Sequence, residues 1–210
     1  MKKNSPKITL ILAVAALLGL GGMALSSCVK KEVRNTASAG KNIICFGDSI
    51  TFGYGVNPGQ DYPANLARLA ARPVINAGVD GDISAQGLER IAGDVLEKDP
   101  YLVLIEFTGN DFLKKVPLEA TINNIREMIR QIQEAGAMTA IVDVSAGVFL
   151  LDYRIRLANL ARETRSIFVP AALEGIITNP SMKSDFMHPN AQGYKIVAEK
   201  VYREIVPYLK

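Results

Sequence analysis

The chain has 210 residues, with 24 basic against 21 acidic side chains, a single histidine and 49% hydrophobic residues. Lys2, Lys3 and Lys7 lie in an N-terminal leader, so the remainder is charge-balanced and lacks the basic face that nucleic acid requires. Two cysteines, Cys28 and Cys45, make no disulfide framework, and the length suits one well-buried core rather than two.

Residues 1–27 read as a secretion leader, with lysines first, an apolar run from Ile8 to Leu20, then Ser26 and Ser27. A permanent membrane anchor is the competing reading, but the stretch holds Gly19, Gly21 and Gly22 and sits at the short limit for a bilayer span. Leu25-Ser26-Ser27-Cys28 resembles a bacterial lipobox, which implies that Cys28 is lipidated and anchored to a membrane of the cell envelope. Residues 28–41 are polar, charged and small, and read as a flexible tether. Residues 42–210 form the expected domain.

Within the domain, short apolar runs alternate with longer amphipathic ones. Strands are expected at Asn42–Phe46, Pro73–Asn76, Tyr101–Phe107, Ala137–Val144 and Ser166–Val169. Helices are expected at Asp61–Arg72, Ser84–Glu97, Leu118–Glu134 and Asp152–Arg165, with a last one capped by Asn190 and running to about Tyr208. In Leu118–Glu134, Ile122, Ile125, Ile129 and Ile132 mark the buried side; in the last helix Tyr194, Val197, Ala198, Val201 and Ile205 do. Cys45, inside the first strand, is expected to be a buried thiol. The alternation predicts an α/β fold with a parallel sheet covered on both faces, and such sheets bind ligands at the carboxyl ends of their strands.

The polar residues at those ends fall in four blocks. The first strand stops at Gly47-Asp48-Ser49. The second leads to Asp80-Gly81-Asp82. The third is followed by Thr108-Gly109-Asn110-Asp111. The loop before the last helix holds Asp185-Phe186-Met187-His188. An ester-cleaving serine needs a base, a group that orients the base, and donors aimed at the developing oxyanion. His188 is the only histidine, so histidine chemistry has one place to be. Asp185 lies within reach of it, with Asp143 as a rival. Ser49 is the candidate nucleophile. The Gly81 and Ser49 N–H groups and the Asn110 side chain are the candidate oxyanion donors. Asp80 and Asp82 read as turn residues around Gly81 rather than metal ligands. A phosphohydrolase would want Asp-x-Asp-x-Thr after the strand, but residue 50 is Ile. No phosphate-binding Gly-x-x-x-x-Gly-Lys-Ser/Thr loop is present either.

Taken together, these blocks resemble the SGNH hydrolases, also called the GDSL esterase/lipase family, over essentially all of residues 42–208. The likeness is greatest to the small periplasmic thioesterase, arylesterase and lysophospholipase group. The resemblance implies a flavodoxin-like three-layer α/β/α fold with a five-stranded parallel sheet. It implies an acyl-serine mechanism with Ser49, Asp185 and His188 catalytic, Ser49, Gly81 and Asn110 at the oxyanion, and no metal or cofactor. Thr108 departs from the glycine that those enzymes tend to carry. Substrates would be lysophospholipids, acyl esters or acyl thioesters; a carbohydrate O-acetyl esterase or a non-catalytic lipoprotein are the alternatives. Leu113, Val116, Val148, Phe149, Leu150 and Leu151 flank the expected mouth and are either acyl-pocket or core. A monomer is the default. An imidazole near its reference pKa of about 6.5 would make activity rise towards pH 7 and fall in acid.

Overall fold

The computed structural model describes residues 32–210; the leader and Cys28 lie outside the described residues. Five strands form one sheet: β1 (Asn42–Gly47), β2 (Val74–Gly78), β3 (Pro100–Glu106), β4 (Met138–Val142) and β5 (Ile167–Val169), all parallel, in the order β2-β1-β3-β4-β5. The helices are α1 (Ser49–Phe52), α2 (Tyr62–Ala70), α3 (Ser84–Asp94), α4 (Gly109–Leu113), α5 (Leu118–Glu134), α6 (Leu151–Thr164) and α7 (Ala191–Ile205).

Successive strand side chains point to opposite faces, and this divides the core in two. Ile43, Cys45, Leu102, Leu104, Met138 and Ala140 pack against α2 and α7. Ile44, Phe46, Val103, Ile105 and Ile141 pack against α3, α5 and α6. The expected inward residues of α5 and α7 are all buried. Every residue of β3 is buried, which is why its sequence shows no alternation. Each large side chain so removed from water contributes about 1.5–3 kcal/mol. Cys45 is a free, buried thiol, and burial pushes its pKa up.

Element ends differ from expectation where a backbone bond is diverted. The β4 run stops at Val142: Asp143 N still donates to Val169 O at 2.9 Å, but its carbonyl accepts from Ala172 N at 2.7 Å, beyond the end of β5. The second expected helix, Ser84–Glu97, ends at Asp94, with Leu96–Lys98 forming a separate 3-10 turn. The last helix ends at Ile205, and a 3-10 turn containing Pro207 follows. Two short helices, α1 and α4, were not expected at all. Four or five residues carry too little periodicity to announce a helix.

The described part of the expected tether lies along the amino-terminal edge of the sheet. Arg34 N donates to Arg165 O at 2.9 Å, just before β5. Asn35 Nδ2 donates to Gln133 O and Ala137 O, both at 2.9 Å, just before β4. Lys41 N and Asn42 N donate to Asp99 O at 3.0 and 3.1 Å, just before β3.

Strand order reverses between β1 and β3, so a crevice opens between their carboxyl ends. Its floor is tight. A Cβ placed on Gly78, at the end of β2, would collide with the Phe52 backbone in α1. Gly78→Ala should therefore cost about 1–3 kcal/mol through overpacking, read as a fall in thermal midpoint of about 2–4 °C per kcal/mol.

Candidate active site

Ser49 lies two residues beyond the end of β1 and opens α1. The Asp48 carboxylate caps that helix by accepting from Ile50 N at 3.1 Å. The cap fixes the turn, and the Ser49 hydroxyl projects into the crevice. His188 Nε2 lies 3.0 Å from Ser49 Oγ, and His188 Nδ1 lies 2.8 Å from Asp185 Oδ2. The two residues sit on one loop, which closes on itself. Lys183 and Pro189 form an antiparallel bridge, and Ser184 N donates to His188 O at 3.0 Å. Asn190 N donates to Met182 O at 2.9 Å, while Asn190 Oδ1 caps α7 by accepting from Gln192 N and Gly193 N.

Asp185 is held electrostatically as well as sterically. Its Oδ1 accepts from both Met187 N and His188 N at 2.8 Å. Partial burial pushes its carboxyl up, but these amides and the imidazole more than offset this and hold its pKa below the ordinary value. The rival Asp143 is engaged elsewhere: its buried carboxylate binds Ser145 Oγ at 2.7 Å, Ala171 N at 2.9 Å and Arg154 Nε at 3.2 Å. The geometry pairs His188 with Asp185. The Tyr54 ring packs against the imidazole, centroids 4.5 Å apart.

The expected oxyanion donors belong to two other segments. Asn110 is in α4, and its buried Nδ2 has no hydrogen-bond partner, although it borders the same cavity as Ser49 and His188. An unpaired buried donor is costly unless a ligand completes it. Asp111, beside it, ties α4 in place: its carboxylate accepts from Ser84 N (2.8 Å), Ser84 Oγ (2.5 Å) and Thr121 Oγ1 (2.8 Å). Gly81 adopts φ +81°, a conformation glycine takes without strain, and its carbonyl accepts from Lys114 Nζ at 2.7 Å.

Sequence reasoning missed what joins these segments. Arg90 of α3 lies over the Phe46 ring, 4.5 Å from its centroid. Its Nε donates to Asp82 Oδ2 at 2.7 Å, beside Gly81. Its terminal nitrogens donate to Ala77 O at 2.9 Å and to Gly47 O at 3.0 Å. One guanidinium thus links the Gly81 turn to the strand end that carries Ser49. Asp82 is accordingly an ion-pair partner, and among the described residues no group of three or more His, Cys, Asp or Glu side chains could hold a metal.

A second unexpected feature lies under Ser49. Glu106, the last residue of β3, is fully buried; its Oε2 accepts from Thr51 Oγ1 at 2.9 Å and its Oε1 has no partner. Burial, and then the nearby Asp48 carboxyl, push its pKa well above the ordinary range. Asp48 itself is pushed up to about 6 by burial, against the pull of the Ile50 and Asn110 amides and of Glu106 and His188.

Beside Ser49 opens a cavity of about 300 Å³, walled by Val144, Phe149, Leu150, Leu173 and Ile177. Of the residues expected at the mouth, Leu113, Phe149 and Leu150 line it. Val148 and Leu151 point to solvent instead, and Val116 takes no part in the lining.

With this geometry in place, comparison with known proteins is decisive about kinship. Residues 45–196 match the GDSL-like Lipase/Acylhydrolase family. The chain belongs to this family. It is a carboxylic ester hydrolase with the α/β fold of the SGNH esterases. An "Arylesterase" of Vibrio mimicus is 28% identical, over 82% of this chain and 92% of that protein. "Esterase TesA" of Pseudomonas aeruginosa is 27% identical, over 88% and 98%. "Thioesterase 1/protease 1/lysophospholipase L1" of Escherichia coli K12 is 25% identical, over 81% and 86%. A crystal structure of TesA superposes with a TM-score of 0.76, at 27% identity, over 80% of this chain and 100% of that one.

Two consequences can be measured. Lysine cannot reproduce the planar fork of Arg90. Arg90→Lys should lower kcat on nitrophenyl esters about 10–100-fold, or about 1.4–2.8 kcal/mol of transition-state stabilisation, with KM changed by less than about threefold. Glu106 binds its proton more tightly in the folded chain, so it favours folding in acid and loses that contribution as pH rises above the unfolded-state value of about 4.3. Glu106→Gln should therefore gain stability relative to wild type between pH 4 and pH 8, followed by denaturant unfolding.

Proposed function

We propose that the protein is a serine esterase or thioesterase acting on acyl substrates, with Ser49 as nucleophile, His188 as general base and Asp185 as its orienting acid. The observation that carries this reading is the continuous hydrogen-bonded relay from Ser49 through His188 to Asp185 at the mouth of an apolar cavity. Ser49 Oγ attacks the carbonyl carbon as His188 Nε2 takes its proton. Asp185 stabilises the resulting imidazolium. The Asn110 amide and the Gly81 and Ser49 N–H groups bind the oxyanion. The imidazolium then protonates the departing alcohol or thiol, leaving an acyl-serine. Water, deprotonated by His188, releases the acid and restores the hydroxyl.

The cavity supports an acyl chain longer than acetyl. Its walls are aliphatic and aromatic, and its size lies at the small end for small-molecule sites, which suits a short to medium chain or the first part of a longer one. Lysophospholipids, acyl esters and acyl thioesters all present such a chain. A carbohydrate acetyl ester would leave the apolar walls uncovered. The relatives' names, arylesterase and thioesterase/lysophospholipase, support the same range. We place the enzyme in the bacterial cell envelope, held by a lipid on Cys28. Among the described residues no helix is long and apolar enough to cross a membrane.

Ser49→Ala should abolish hydrolysis of nitrophenyl esters and of lysophospholipid in a protein that still folds. Asn110→Ala should lower kcat about 10²–10³-fold, the cost of one oxyanion donor, with little change in KM. Activity in Ser49→Ala equal to wild type would overturn the serine mechanism. Flat kcat in Asn110→Ala would remove that residue from the oxyanion site.

A further inference from the structure

The five strands are parallel, so their amino ends share one edge of the sheet and their carboxyl ends the other. Ser49 and Asn110 follow carboxyl ends. The N-terminal segment of the domain is pinned along the opposite edge. Arg34, Asn35 and Lys41 bond in turn to the backbone just before β5, β4 and β3, and Arg165 Nε donates to Glu32 O at 2.8 Å. These contacts hold the chain entry beneath β5, a full sheet depth from the nucleophile. The seven residues of β3 alone span about 23 Å.

From Cys28 to Glu32 there are four peptide steps, which span at most ~14 Å when fully extended. A domain of this length is about 40 Å across. A lipid on Cys28 therefore has a leash far shorter than the path around the domain to the mouth. Building on the function proposed above, we infer that the anchored enzyme turns its mouth away from the leaflet that holds it. Its substrate is then an acyl ester or thioester arriving through the aqueous phase, as a monomer or on a soluble carrier, rather than a lipid of its own membrane.

The test uses the full lipidated chain in phosphatidylcholine vesicles, beside a full-chain variant with about 40 Gly/Ser residues inserted between Lys31 and Glu32. Such an insert has a root-mean-square reach of ~35 Å, comparable with the domain. Two substrates share a leaving group: nitrophenyl butyrate in water and nitrophenyl palmitate dissolved in the same vesicles. The insert should raise the palmitate-to-butyrate rate ratio by about tenfold or more, because the mouth gains access to the leaflet, while the butyrate rate stays within about twofold. A ratio that does not move on insertion, whether high or low, overturns the inference. So does vesicle association that survives Cys28→Ser. Butyrate hydrolysis that persists in Ser49→Ala would instead overturn the proposed chemistry, so the two failures are distinguishable.

Discussion

The carbonyl oxygen of Gly47 is the point on which the site is built. It ends β1, one residue before the acid that caps the nucleophile helix, and it accepts from both Val79 N and Arg90. Through Val79 it registers the β2 turn against β1. Through Arg90 it registers Asp82, and hence Gly81, against Ser49. Asp48 extends the frame in the other direction: the backbone N–H of Asn110 lowers the proton affinity of its carboxyl. The proposed nucleophile and oxyanion donors come from three separate chain segments, and transition-state stabilisation by them depends on their holding position to a fraction of an ångström. A network of backbone carbonyls, one guanidinium and two buried acids does this without a metal ligand among them.

That frame carries a cost in folding. Asp48 and Glu106 are carboxyls whose burial raises their proton affinity, that of Glu106 further because Asp48 lies beside it, and Glu106 leaves one oxygen unpaired. Asn110 leaves a buried donor unpaired. Each such group destabilises the folded chain by roughly 1–3 kcal/mol. The two core layers, completely closed around β1 and β3, supply the offset. Polar strain concentrated at the carboxyl ends of the strands, beyond the apolar run Ile43–Phe46 of β1, is the arrangement expected where function and stability compete.

Much of this was legible in the sequence for simple reasons. β1, β3, α5 and α7 are long or apolar enough for their period to show, and four separated polar blocks at predicted strand ends converge only if the sheet is parallel. The rest was hidden by residues whose role depends on distant partners. Arg90 reads as the solvent face of an amphipathic helix until the fold brings Gly47 beside it. Glu106 sits inside an apolar run and looks like its end. Val148 and Phe149 are neighbours of like hydrophobicity, yet one faces solvent and the other the cavity, because a loop path rather than a period decides. The small, charged stretch before Asn42 reads as free chain. Its anchorage comes from Asn35, which bonds two carbonyls at once from a left-handed backbone, φ +62°.

The closed loop from Met182 to Asn190 carries both Asp185 and His188. Because Asp185 also binds the backbone amides of Met187 and His188, the proposed acid–base pair is hydrogen-bonded within a single loop. The relay accordingly has one adjustable joint, the contact between His188 Nε2 and Ser49 Oγ. A shift of the loop as a unit would keep His188 paired with Asp185 and change its distance from Ser49 Oγ.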